Sequence, residues 1–157
     1  MSETARIADQ IRRAFHGDAW HGDSLLEILD GVAAAQAAAH TVKHAHSIWE
    51  LVLHITAWDG AVRRRLTGVA VDLPDEQNFP SVMDPSEGAW GRALLNLKRI
   101  HDELVEAVKA FPDERLSEKV PGKGKEPDWY NFYYMLHGVA QHELYHAGQI
   151  ALLKKAG

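Results

Sequence analysis

Apolar positions recur along this chain with the period of a helix. In residues 2–16, Ile7, Ile11 and Phe15 repeat every four, with Ala8 beside them and charges between. The spacing predicts a first helix, and Gly17 is its expected stop. Trp20-His21-Gly22-Asp23 has turn character, and Asp23 is the expected cap of a short helix over Ser24–Leu29. Residues 31–46 are rich in alanine and carry His40, His44 and His46; the expectation is a connector that adds little to the core. Ser47-Ile48-Trp49-Glu50 fits a capping box that opens a second long helix. That helix runs through Leu51, Leu53, His54, Trp58 and Val62 to the basic turn Arg63-Arg64-Arg65, with Gly68 as its stop. Residues 69–84 read as a loop long enough to cover a site. Asp84-Pro85-Ser86-Glu87 reads as a third start, with aspartate as cap and proline at the first helical position. Trp90, Leu94, Leu97, Ile100, Leu104 and Val108 continue it to Phe111-Pro112. Residues 113–127 form a polar linker, with Pro121-Gly122-Lys123-Gly124-Lys125 expected to be mobile. Asp128 is the expected cap of a fourth helix that ends near Lys154-Lys155.

No strand alternation competes with these patterns, and no internal repeat stands out. Four long amphipathic helices predict an all-α protein, a four-helix bundle in one domain over 1–157. The long link between the first two permits a crossover topology.

The chemistry concentrates in the fourth helix, in His142-Glu143-Leu144-Tyr145-His146. At about 100° per residue, Met135, Val139, His142, His146, Gln149 and Leu153 share one narrow stripe. It is apolar except for two imidazoles and an amide. Buried imidazoles need partners, and a metal ion supplies one. A third ligand is needed, and His54 is the best choice, because its face of the second helix also carries Leu51, Ala57, Trp58 and Ala61. Three imidazoles leave positions open for water or substrate. The metal's identity is open, with zinc or nickel preferred.

Other residues qualify this picture. The H-E-x-x-H pattern is shared with zinc proteases, but no His, Asp or Glu follows it in Ala147–Gly157, which argues against a protease. Glu143 is a candidate base for metal-activated water, set against a plain interhelical carboxylate. Glu50 either bonds an imidazole N–H or simply closes the capping box. Gln149 either orients a ligand, holds substrate or simply bonds a neighbouring helix, and Trp58 is either a core aromatic or lines the pocket. His137 projects away from the stripe, and His40, His44 and His46 read as solvated loop residues. His16, His21 and His101 have no partner visible in sequence.

Composition narrows the class further. The 157 residues are 46% hydrophobic and 25% charged, enough for one domain with a sizeable core. No cysteine is present, so a metal must use N and O ligands and any catalytic thiol must come from outside. The net charge of -5 and pI near 6.0 argue against nucleic acid or an acidic membrane as partner. With no apolar run long enough for a membrane and no signal-like N-terminus, the expectation is a cytoplasmic protein.

His54 within Ser-Ile-Trp-Glu-Leu-Val-Leu-His-Ile, together with His142-Glu-Leu-Tyr-His146-Ala-Gly-Gln-Ile, resembles the DinB-like (YfiT-like) superfamily of bacterial metal-binding four-helix bundles. The resemblance covers nearly the whole chain, including Trp20-His21-Gly22. It implies an up-down-down-up bundle, a divalent metal on His54, His142 and His146, and a homodimer. It further implies a metal-dependent transferase for small electrophiles that uses bacillithiol, mycothiol or glutathione. Two alternatives stand beside it: a hydrolase that uses metal-bound water, and a metal- or ligand-binding module without catalysis.

Overall fold

The computed structural model describes residues 1–122 and 127–157. Lys123 to Lys125 of the expected mobile linker lie outside the described residues. Four long helices dominate: α1 (Glu3–His16), α4 (Ile48–Leu66), α6 (Glu87–Ala110) and α7 (Phe132–Ala156). Between them lie the short helices α2 (Leu25–Leu29), α3 (Ala34–Ala38) and α5 (Asp75–Asn78), and a 3₁₀ turn at Asp113–Arg115. The all-helical expectation holds among the described residues.

The helix starts show what sets each boundary. Ser47 opens α4 as expected: its Oγ accepts the Glu50 N–H at 3.2 Å, and Glu50 Oε2 accepts the Ser47 N–H at 2.8 Å. Three other caps differ from expectation. Ser24, not Asp23, precedes α2, because the Glu27 carboxylate accepts its N–H at 2.8 Å. Ser86, not Asp84, caps α6 by accepting the Ala89 N–H at 3.2 Å. Asp84 instead accepts the Ser86 N–H, and Pro85 stays outside the helix. Asn131, not Asp128, caps α7 through the Tyr134 N–H. The preceding chain explains that delay. Glu118 and Leu116 carbonyls accept the Phe132 and Tyr133 N–H groups and hold the segment against the linker. Gly68 does end α4, with φ of +87°, where a side chain would be strained.

Around the bundle, α4 and α1 each pack against both α6 and α7, and the α4–α6 seam is the most extensive. Thus α1 and α4 sit on one diagonal, α6 and α7 on the other. The longer connections, 17–47 and 111–131, cross these diagonals. The first of them is more than a connector. Val32, Ala34 and Ala37 are buried in the core, against expectation. Glu87 accepts the Ala34 N–H, Trp90 Nε1–H donates to the Val32 carbonyl at 2.7 Å, and Lys154 donates to the Ile28 and Asp30 carbonyls. Small alanine side chains let this segment lie close on α4, α6 and α7.

The core has two apolar parts. One takes Ile48 to Ile55 of α4, Trp90 and Leu97 of α6, and Ala147 to Leu153 of α7. The other takes Val62 and Leu66, Leu104 to Val108, and Phe132 to Val139, with Ile7 and Ile11 of α1. The functional residues lie at the boundary between these two parts.

Candidate metal centre

α4 and α7 bring His54, His142 and His146 together at that boundary. Their ring nitrogens converge within 4.8 Å of one another. His54 Nε2 lies 2.9 Å from His142 Nε2, and His146 Nε2 lies 3.1 Å from it. Hydrogen accounting makes this arrangement informative. His54 Nδ1–H donates to the Asn78 carbonyl at 2.7 Å, which leaves Nε2 a bare lone pair. His146 Nδ1–H donates to Gln149 Oε1 at 2.6 Å, with the same result. His142 Nε2 carries at most one hydrogen, so at least one of its two short contacts has no hydrogen of its own to bridge it. A shared cation removes that conflict. Donors bound at about 2.1 Å in tetrahedral or octahedral positions lie about 3.0–3.4 Å apart, in line with the spacings here. The chain's nitrogens therefore fit a divalent metal.

Electrostatics point the same way. His54 and His146 are only 5% and 6% exposed. Burial lowers the pKa of all three imidazoles, and the neighbouring rings help push His142 down to about 3. At neutral pH they are uncharged, the form that binds metal.

The partners of the ligands come from two places. Gln149, one turn beyond His146, holds that ring in the tautomer that leaves Nε2 bare. The loop after α4 supplies the rest. The Asn78 side chain accepts the Trp58 Nε1–H at 2.8 Å, while its carbonyl holds His54. Phe79 stacks on His54 at 4.0 Å and on His46 at 3.8 Å, so the ring is sandwiched between two imidazoles. The loop thus covers a site, as its length suggested. Asn78 and Phe79 as ligand supports were not foreseen, because loop contacts leave no periodic trace.

Beside the nitrogens is a cavity of about 400 Å³. Trp58, Arg65, Tyr130, Tyr134 and Tyr145 line it. Arg65 donates to the Tyr130 hydroxyl at 3.3 Å and the Val71 carbonyl at 2.7 Å, and lies over the Trp58 ring. Among the described residues no carboxylate pairs with it.

A family model described as the DinB superfamily matches residues 19–150. The chain belongs to the DinB superfamily. No curated protein and no solved structure matched it. The matched span contains His54, His142, His146 and Gln149. No helix among the described residues is long and apolar enough to cross a membrane.

Several other expected residues lie elsewhere. Glu143 turns away from the cavity: its Oε1 lies 2.8 Å from His101 Nδ1, in the bundle interior. A base beside the metal is therefore not what its position provides. Glu50 takes the capping role and also meets His40 and His46 at 3.1 and 3.4 Å, rather than a ligand imidazole. His137 packs on Tyr133. His16 Nε2 meets Asp102 at 2.7 Å. His101, with no partner visible in sequence, sits between Asp59 and Glu143.

Proposed function

We propose that this DinB-superfamily protein is a divalent-metal-dependent enzyme that transfers a low-molecular-weight thiol to a small electrophile. The observation that carries the reading is the convergence of three neutral Nε2 lone pairs at the wall of a cavity of about 400 Å³. His54, His142 and His146 would hold the cation, which would lower the pKa of a bound thiol and supply a nucleophilic sulfur near neutral pH. The chain has no cysteine, so the sulfur arrives with the co-substrate. Arg65 offers positive charge at the cavity wall, suited to the carboxylate of a thiol such as glutathione or bacillithiol. Trp58, Tyr134 and Tyr145 give an apolar surface for the electrophile.

The hydrolase alternative has less support. It calls for a free base facing the cavity; Glu143 faces His101 instead, and Asp59, which borders the cavity, has Oδ2 3.2 Å from that same ring. A module without catalysis fits poorly with a cluster open to a cavity of substrate size. Thiol consumption decides among the three. Tag-free protein loaded with zinc or nickel is incubated with glutathione, bacillithiol or mycothiol and a bimane or nitroaryl electrophile. The expected result is thiol loss that needs metal and disappears in His142→Ala. No metal-dependent loss with any of the three thiols overturns the proposal.

A further inference from the structure

A second set of donor atoms converges in the middle of the bundle. Asp59 of α4, His101 of α6 and Glu143 of α7 occupy the level between the two apolar cores. On α4 they separate Ile55 from Val62, on α6 Leu97 from Leu104, and on α7 Val139 from Ala147. All three are buried, at 1%, 0% and 0% exposure. His101 Nδ1 lies 2.8 Å from Glu143 Oε1 and 3.2 Å from Asp59 Oδ2. The imidazole is stacked on Phe15 at 3.7 Å and 8°, which holds its plane.

One hydrogen on Nδ1 cannot serve both acids. The hydrogen-bond geometry favours Asp59, and both Glu143 oxygens are buried without a hydrogen-bond partner. Two carboxylates and one imidazole leave a net negative charge in the core if both acids are ionised. Among the described residues no lysine or arginine pairs with either acid. His16, the other titratable ring nearby, is engaged with Asp102. A buried carboxylate with no hydrogen bond is costly. A cation between the three groups would answer both carboxylates at once.

We propose that Asp59, His101 and Glu143 form a second cation site, distinct from the three-histidine centre. Two carboxylate oxygens and one imidazole suit a first-row divalent ion that accepts oxygen ligands, such as Mn(II) or Fe(II). Donors at right angles and about 2.1 Å from such an ion lie about 3.0 Å apart, between the two spacings here. The ion ties α4, α6 and α7 together at the level where apolar packing is interrupted. Asp59 also borders the cavity of the first centre, which gives the ion a route inward. Because Glu143 follows His142 directly, the second ion fixes the turn of α7 that carries the first centre's ligands. The inference does not depend on thiol transfer.

Metal stoichiometry tests it. Tag-free protein is saturated with zinc and manganese, desalted, and counted for total metal by elemental analysis, with bound Mn(II) followed by electron paramagnetic resonance. The expectation is two equivalents in the wild type and one in Glu143→Gln. His142→Ala also retains one, and the double variant retains close to none. Glu143→Gln is nearly isosteric, and its retention of the histidine-bound equivalent doubles as a check on folding. One equivalent in the saturated wild type overturns the proposal, whatever the variants do. Two equivalents retained in Glu143→Gln overturn it as well. A wild type with two equivalents but no thiol transfer refutes the proposed activity and leaves the second site standing.

Discussion

Replacing Gln149 with leucine should weaken metal binding by about 10- to 100-fold. His146 Nδ1–H has one acceptor, Gln149 Oε1, at 2.6 Å, and the ring is 6% exposed. Leucine leaves that N–H buried without a partner, which costs about 1–3 kcal/mol. It also frees the ring to rotate and to adopt the other tautomer, which places hydrogen on the ligating nitrogen. A loss of 10- to 100-fold equals about 1.4–2.7 kcal/mol, so the two routes agree. The comparison is Asn78→Ala. It removes the acceptor for Trp58 but keeps the backbone carbonyl that holds His54, so affinity should change by less than about 3-fold. Gln149→Glu supplies a charged acceptor and should bind at least as tightly as the wild type. The assay is competition for zinc against a chromophoric chelator at pH 7.5. Equal affinity for the wild type and Gln149→Leu, or a larger loss in Asn78→Ala, would refute the reasoning.

Three further outcomes follow from the same geometry. Leu97→Ala opens a void in a fully buried position next to the polar level of the bundle and should cost about 2–5 kcal/mol in urea unfolding; a loss below about 1 kcal/mol would show that the core collapses around it. In the proposed reaction, Arg65→Gln should raise KM for glutathione by about 10-fold, or about 1.4 kcal/mol, and should affect kcat less; an unchanged KM removes Arg65 as the anion contact. His142 in metal-free protein should stay neutral down to about pH 4, since burial and its neighbours hold its pKa near 3. A lowered histidine pKa contributes stability that is full above the unfolded value near 6.5 and is lost as pH falls toward 3. Asp59 and Glu143, raised chiefly by burial, slope the other way, so the readout is the His142 ring signal by NMR, and an inflection near 6.5 contradicts the prediction.

Much of the first centre was legible because it obeys helical spacing. His142 and His146 lie one turn apart on a stripe of Met135, Val139 and Leu153, and only a packed stripe with a shared need explains two imidazoles there. Ser47 and Glu50 were legible for a similar reason, as a capping box is local. What failed was contact across the fold. Asp128 is a good local cap, yet the pairing of Glu118 with Phe132 moves the start of α7 to Asn131. Residues 31–46 read as a connector because alanine carries little apolar surface. They are held by Glu87, Trp90 and the Lys154 carbonyl, all distant in sequence. His101 is the clearest case. Its partners lie 42 residues before and 42 after it, on two other helices, and no spacing rule links them.

The two clusters occupy two different buried faces of α7. His142 and Glu143 are neighbours in sequence and project about 100° apart. One faces the cavity beside α4, and the other faces the interior against α6. Tyr134, Tyr145 and Leu152 lie on a third face of the same helix, exposed to solvent. α4 carries the same double duty with His54 and Asp59, five residues apart. The cost of two interrupted layers falls on the apolar cores to either side. Leu97, Leu104, Leu136 and Ile150, all fully buried, bracket the polar level and hold the helices at the spacing it needs. α1 contributes to that support and to no ligand set: Phe15 stacks on His101, while Ile7 and Ile11 fill the far core. The family match begins at residue 19, after α1, and spans every donor atom of both clusters. The chemistry and the packing that sustains it are thus divided among the helices, with α4 and α7 fixed by both.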